Sequence, residues 1–453
     1  MSSPEKQTSP SSPNLQDEIK PSAKALLPML LFLILFIGTG VYMTLQGVDM
    51  AFYQLPAPIA VLPAIILAII LSKDKINQAI EQFLRGVGHI DIIAMCMIYL
   101  LAGAFSAVAS ATGGVDATVN LGLSMIPASL ILPGLFVISG FIATSMGTSM
   151  GTIAAVAPVA LGIAQASGMD LALTAGVVLS GAMFGDNLSI ISDTTIAATR
   201  SQGCHMRDKF RENVRIALPA ALVVLVIFAF ASKSTQVPET HAIEWLKVLP
   251  YLTILVLAVS GVNVFVVLSL GIILAGGIGI LGDTSYSLGQ MGQDIYAGFG
   301  NMQEIFLLSM LIGGLSELMR RQGGLAFMTT MISRLIQGHK HSQRGSEMGI
   351  AALVGLTNVC TANNTVAIIV AGGVAREISE QNQVSAKRSA SVLDIFSCVV
   401  QGMLPYGAQA LLLGSIFKLS PLEVVTNSYY SVFLMIAAIA SMFLRKREPI
   451  TTD

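Results

Sequence analysis

The chain has 453 residues, 54% of them hydrophobic and 11% charged, with a formal net charge of −1 and a mean hydropathy of +0.74. Soluble domains carry about 25% charged residues, so this composition excludes an ordinary soluble enzyme. The near-neutral charge gives no basic footprint for nucleic acid.

Residues 1–24 are rich in Ser and Pro and read as a disordered cytoplasmic tail without a secretory signal. Spans are placed by apolar length and oriented by Lys/Arg asymmetry. Ala25–Leu45 is the first, and Ala57–Leu71 a shorter second ending at Lys73 and Lys75. Residues 73–90 read as cytoplasmic and interfacial. Ile92–Ala111 crosses outward to Gly113-Gly114, and 115–128 reads as an amphipathic helix at the outer interface. Ser129–Ala166 is two apolar pieces split by TSMGTSMGT (144–152), each shorter than the ~20 residues of a crossing. Arg207, Lys209, Arg211 and Arg215 mark the cytoplasm after a crossing by Leu171–Thr199. Residue 170 is then outside, and the preceding pair is a re-entrant hairpin.

Ala217–Ala231 leads outward to a loop with Trp245 and Tyr251 as interface anchors. Leu246–Ser260 and Val262–Leu281 form a tight pair. Residues 282–303, with Asp283 and Asp294 but no Lys or Arg, suit the outside, and Ile305–Met319 returns to Arg320-Arg321. An amphipathic piece at 325–337 and a basic loop (His339, Lys340, His341, Arg344) follow. Gly349–Ala375 repeats the hairpin pattern around TNVCTANNT (357–365), with Arg376, Lys387 and Arg388 placing both ends inside. Ser391–Phe417 crosses with a polar break, CVVQGMLPYGAQ (398–409), and Tyr430–Leu444 ends at Arg445-Lys446-Arg447.

The expectation is an all-α polytopic membrane protein with about ten transmembrane helices, two re-entrant hairpins, interrupted helices and both termini cytoplasmic. Gly113-Gly114 and Gly323-Gly324 stand 210 residues apart. Each precedes an amphipathic helix, a polar-tipped hairpin and a broken span, with opposite sidedness. Inverted-topology repeats with interrupted helices are the signature of secondary transporters. The first repeat is placed at 25–215, a connecting span and loop at 216–245, the second repeat at 246–427, and a final span and tail at 428–453.

The polar interruptions carry the chemistry. TSMGTSMGT offers hydroxyls at Thr144, Ser145, Thr148, Ser149 and Thr152, with Gly147 and Gly151 freeing the backbone. Such oxygens suit a hard cation such as sodium, and helix N-termini at a break suit an anionic group. The same glycines also satisfy small-residue helix packing. Gly185-Asp186-Asn187 is the sharper signal, since a carboxylate at bilayer depth costs roughly 3 kcal/mol or more. Asp186 has no basic neighbour in sequence. It serves either as a carboxylate that exchanges a proton for sodium or as a structural group pairing a distant Arg or capping a restarted helix. Asn187 and Ser189 would complete the first site, with Asp186 and Asn187 as sodium ligands.

Asp193, with Thr194, is either a second carboxylate of that site or part of an N-cap. In the second half Asn358, Thr361, Asn363, Asn364 and Thr365 supply neutral oxygens, and Gln401, Tyr406 and Gln409 supply more. Asp394, six residues beyond Arg388, reads as a paired or snorkelling group near the interface. Asp91 and Glu304 read as span-end residues. The four cysteines (Cys96, Cys204, Cys360, Cys398) show no paired spacing, and the 22 methionines fit adaptable packing. A phosphate-cradling Gly-x-x-x-x-Gly-Lys-Ser/Thr loop is absent from the sequence, as is any Ser-His-Asp set. The chain therefore reads as no enzyme and needs no cofactor beyond the coupling ions, sodium and protons.

At GDNLSIISDTTIAATRSQGC (185–204) the sequence resembles the NhaC-type sodium/proton antiporter family, within the ion transporter superfamily. TSMGTSMGT and TANNT fit the same pattern, so the resemblance covers roughly residues 90–445. It implies two hairpins in an inverted repeat, with the Gly-Asp-Asn stretch marking the ion site. It does not fix the cargo, since members that exchange sodium for protons, exchange dicarboxylates or take up amino acids look alike. No cluster of membrane-embedded Arg or Lys is legible to clamp a dicarboxylate. The expected function is sodium/proton antiport across a bacterial-type inner membrane, with sodium-coupled amino-acid or organic-acid transport as the alternative. A passive channel and a subunit of a sodium-pumping complex are the competing classes. A homodimer is an expected assembly, closed two-fold symmetry being the commonest, although no interface is legible.

Overall fold

Every regular element among the described residues is helical. This computed structural model describes residues 20–48, 54–125, 127, 130–190, 192–232, 244–260, 262–282, 286–337 and 342–444. The expected tail through residue 19, Asp283, the His339–His341 loop and the terminal Arg445–Arg447 lie outside the described residues.

The first half opens with a 3-10 turn (Ala23–Leu26), α1 (Leu27–Leu33), a π-helical turn (Ile34–Gly38) and α2 (Thr39–Leu45). Then come α3 (Ala57–Leu71), α4 (Ile76–Val87), α5 (Ile90–Ala111), α6 (Gly114–Met125), α7 (Ile131–Met146), α8 (Ser149–Ser167), α9 (Leu171–Leu188), α10 (Asp193–Gln202) and α11 (Met206–Ala231). In the second half stand α12 (Trp245–Val259), α13 (Val264–Gly282), α14 (Leu288–Asn301), α15 (Gln303–Arg321), α16 (Gly324–Gln337) and α17 (Gln343–Thr361). The chain closes with α18 (Asn364–Gln381), α19 (Ala386–Gln401), α20 (Ala408–Phe417), the short α21 (Pro421–Thr426) and α22 (Tyr429–Leu444). Among the described residues six helices are long and apolar enough to cross a membrane, or seven if the bent pair α14–α15 counts as one span. Helices α3, α7, α12, α20 and α22 are apolar but shorter.

The helix breaks have local causes. Helix α7 ends at Gly147 in the left-handed region (φ 70°), and Thr148 then caps α8 by accepting from Gly151 N at 3.4 Å. Helix α17 ends the same way at Ala362 (φ 51°), and Asn363 caps α18 by accepting from Val366 N at 3.0 Å. A side-chain acceptor at this position satisfies one of the orphan N–H groups of the new helix. Among the described residues, every left-handed residue after Gly47 has a mate in the other half. Gly113 matches Gly323 at a separation of 210 residues; Gly147 matches Ala362, Gly168 matches Gln383 and Gly203 matches Lys418 at a separation of 215.

Packing is reciprocal in the same sense. Helices α3 and α4 pack on α15, while α13 and α14 pack on α5. Helix α10 packs on α18 and α20 on α8; α11 packs on α19 and α22 on α9. Backbones touch where side chains vanish: Gly103 of α5 lies on Gly298 of α14, and Gly86 of α4 on Gly313 of α15. Helices α7 and α9 pack through Gly140 against Gly181 and Gly185. Small residues give such helices their close approach.

Three expectations change. Residues 288–301 form a helix on α5, bent 46° from α15, where the sequence reads as a connecting segment without a helix. Its Gly- and Gln-rich sequence hides a helix whose stability comes from packing. Tyr251 is no loop anchor: it lies inside α12, buried, with its ring 4.9 Å from Phe105. Residues 20–22 are docked, with Ser22 N donating to Gly323 O at 3.0 Å.

Candidate cation cavity

The junctions of α7 with α8, α9 with α10, α17 with α18 and α19 with α20 meet around a cavity of about 120 Å³. Its floor is Asp186, the third-last residue of α9 and 4% exposed. The carboxylate accepts two hydroxyls, Ser149 Oγ on Oδ2 at 2.9 Å and Ser192 Oγ on Oδ1 at 2.6 Å. Ser149 stands at the first residue of α8 and Ser192 at the N-cap of α10, so two helix starts converge on this acid. That placement brings the positive ends of two helix dipoles to the carboxylate.

A directed chain of hydrogen bonds runs from the second half into Asp186. Gln401 Nε2 donates to Gln409 Oε1 at 2.8 Å, and Gln409 Nε2 donates to Ser149 Oγ at 3.0 Å. Ser149 in turn donates its hydroxyl hydrogen bond to Asp186. Since Ser192 likewise donates to Asp186, Thr194 is the donor in the 2.9 Å Ser192–Thr194 bond.

The cavity collects many of the expected residues. Gly147, Thr148 and Ser149 line it from the first tip, and Asn363, Asn364 and Thr365 from the second. Asp186, Asp193, Thr194 and Gln401 line it as well. Asp193 is the first residue of α10, with Ser192 taking the N-cap position, and its side chain reaches the cavity. Asp91, read from the sequence as a mere span end, also lines it. Three carboxylates thus face the space, and among the described lining residues there is no Lys, Arg or His.

The other expected residues stand apart. Thr144 Oγ1 bonds its own helix at Gly140 O (2.8 Å), while Thr144 O accepts from Ser189 Oγ (2.8 Å), so both brace the break. Ser145 is not among the lining residues, and Thr361 lines a neighbouring cavity with Glu317 and Arg320. Thr361 Oγ1 is held by Thr357 O at 3.0 Å. Tyr406 donates to Val359 O at 2.7 Å and packs against Phe32, a strut behind the second tip.

Asn187 turns away from the cavity into a second polar cluster, which corrects the reading of it as a cavity ligand. Its Nδ2 donates to Asp394 Oδ2 at 2.9 Å. Asp394 is 0% exposed and is the paired group of its two readings, its partner being Lys209, also 0% exposed, at 2.7 Å. Lys209 further donates to Thr195 Oγ1 at 2.7 Å and to Asn187 O at 3.0 Å. Asn213 Nδ2 bonds the same two oxygens, Asn187 O at 3.1 Å and Asp394 Oδ2 at 2.7 Å. The orphan carbonyl at the end of α9 is therefore capped by two donors from α11. Arg388 is buried too and pairs with Glu347 at 2.8 Å. Lys209 had been counted with the cytoplasmic basic residues. Its position was legible in helix period: 209, 213, 216, 220 and 224 form the buried stripe of α11.

Comparisons with known proteins show the family. A family model described as the Na+/H+ antiporter family matches residues 7–233. The Na(+)/H(+) antiporter NhaC of Bacillus subtilis (strain 168) is 25% identical over 386 residues, covering 78% of this chain and 84% of that protein. The arginine/ornithine antiporter ArcD of Halobacterium salinarum is 22% identical, covering 92% of this chain and 90% of that one. Among solved structures, the YdaH transporter of Alcanivorax borkumensis matches with a TM-score of 0.46 and 12% identity, covering 93% of this chain and 98% of that chain. The match spans Asp186, Asp193 and Lys209, and the resemblance seen at 185–204 stands: the chain belongs to the Na+/H+ antiporter family, of the NhaC type.

Proposed function

We propose that this chain exchanges sodium for protons across the bacterial-type inner membrane by alternating access, with Asp186 as the shared binding group. The observation that carries this reading is the setting of Asp186, buried at the meeting of four helix breaks and, among the described residues, held by two hydroxyl donors. A hydroxyl donates to a carboxylate and equally offers lone pairs to a cation. Sodium entering beside Asp186 takes oxygens from Ser149 and Ser192; a proton arriving on the carboxylate removes the charge that holds the ion. Either occupant excludes the other, and that exclusion is exchange. Lys209 is neutralised on Asp394, which leaves the Asp186 charge available to the ion.

The matched left-handed residues and reciprocal packing support an inverted-topology repeat. The two tips at Gly147-Thr148 and Ala362-Asn363 support two re-entrant hairpins. On this reading about ten crossings leave both termini cytoplasmic.

The test uses proteoliposomes with a trapped pH dye and an imposed outward sodium gradient, without organic solute. Sodium-driven proton movement that is lost in Asp186→Asn is expected. Equal movement in that variant contradicts the assignment. A second reading, exchange of a cationic or zwitterionic amino acid, is favoured by three carboxylates around 120 Å³ of space and by the ArcD relative. It gains ground if sodium alone moves no protons while labelled amino acids are exchanged. An acidic lining without cationic side chains disfavours a dicarboxylate cargo.

A further inference from the structure

The 215-residue register that pairs the left-handed residues also pairs the helix starts. Thr148 matches Asn363, Leu171 matches Ala386, and Ser192 matches Gly407. Carried through the broken spans, it sets Asp186 against Gln401 and Thr194 against Gln409, and all four line the one cavity. Gln401 is 2% exposed, and its Oε1 has no donor among the described atoms. The amide cannot simply be turned over, because its Nε2 faces two acceptors, Ala362 O at 3.3 Å and Gln409 Oε1 at 2.8 Å. A buried amide oxygen without a donor costs free energy unless something positive meets it.

We propose that Gln401 is the opposite pole of the cation cavity, giving Oε1 to the same ion that Asp186 binds, and that its neutrality fixes the site for a monovalent ion. This rests on the assignment of Asp186 above. Of the three carboxylates that line the cavity only Asp186 is buried, Asp193 being exposed and Asp91 partly so. A single deep carboxylate thus balances one unit of charge between the two poles, whereas hard divalent ions are held by several carboxylates. Gln401→Glu rebuilds in the second half the acid that the first half carries at Asp186, with almost no change of volume.

The experiment measures binding of sodium chloride and of calcium chloride to the purified full chain by isothermal titration, for wild type, Asp186→Asn, Gln401→Leu, Gln401→Glu and the Asp186→Asn/Gln401→Glu pair. Expected are a sodium affinity about tenfold weaker in Gln401→Leu, equivalent to about 1.4 kcal/mol, and calcium binding gained in Gln401→Glu and lost again in the pair. Sodium binding unchanged in Gln401→Leu together with no calcium gained in Gln401→Glu overturns the inference. Should Gln401→Leu not fold, Gln401→Glu alone decides: calcium gained supports the inference, and none gained overturns it. Asp186→Asn separates the two claims. If it binds sodium like the wild type, the Asp186 assignment fails; if it loses sodium while both Gln401 variants behave as wild type, only the pole fails.

Discussion

Replacing Lys209 by Met removes a buried ammonium and leaves Asp394 ionised with only the amide donors of Asn187 and Asn213. Both groups are 0% exposed and 2.7 Å apart, so solvent cannot take over the lost interaction. Breaking a buried pair from one side costs about 3–5 kcal/mol. Asp394→Leu should cost a similar amount, now because Lys209 is left charged and unpaired. The double variant Lys209→Met/Asp394→Leu buries no charge and loses mainly hydrogen bonds to Asn187, Thr195 and Asn213. Its leucine has a precedent in the fold, because the 215-residue register sets Asp394 against the buried Leu179. The double variant should therefore be more stable than either single one, with a coupling energy of about 2–3 kcal/mol. Thermal unfolding read by a thiol-reactive dye measures this, since Cys96, Cys360 and Cys398 are buried and free. Additive losses in the double variant would show that the two groups are not energetically paired and would refute the reasoning.

Other substitutions test the frame around the site. Gly185→Ala sets a methyl against Gly140 O and Ala143 of α7; overpacking costs about 1–3 kcal/mol, so a lowered melting temperature is expected, with Gly373→Ala, which meets open space, as the neutral control. Ala362→Gly removes a Cβ from a left-handed position (φ 51°). The relief of about 1–2 kcal/mol exceeds the extra entropy loss of glycine, so stability should hold or rise slightly, and a clear fall counts against the assigned geometry. Tyr406→Phe deletes the hydrogen bond to Val359 O; a cost of about 1 kcal/mol with sodium affinity unchanged is expected, whereas a large drop in affinity would return Tyr406 to the ion site.

Much of the frame was legible because lipid is a strict solvent. Apolar runs place the long helices, and Gly147, Gly151 and the surrounding hydroxyls announce a break where hydrocarbon tolerates none. Asp186 stood out for the same reason. What stayed hidden depends on packing. Helix α14 has little apolar character of its own and is a helix because Gly298 seats it on α5. Lys209 sat among basic residues that mark the cytoplasm, and only its place on the buried stripe of α11 separates it from them. Asp394 looked ordinary six residues after Arg388, yet it closes a polar cluster drawn from α9, α11 and α19. The pairing of Asp186 with Gln401 needed the register of left-handed residues, three of which are not glycine in the second half and leave no sequence mark.

The central claim is that one carboxylate holds either sodium or a proton. Titrating sodium onto the purified chain over a range of pH tests it most directly. Protons that compete at one group weaken apparent sodium affinity about tenfold per pH unit on the acid side and not at all on the alkaline side. That profile is expected for the wild type, with sodium binding lost or made independent of pH in Asp186→Asn. A pH-independent sodium affinity in the wild type, or an unchanged profile in Asp186→Asn, would contradict the account.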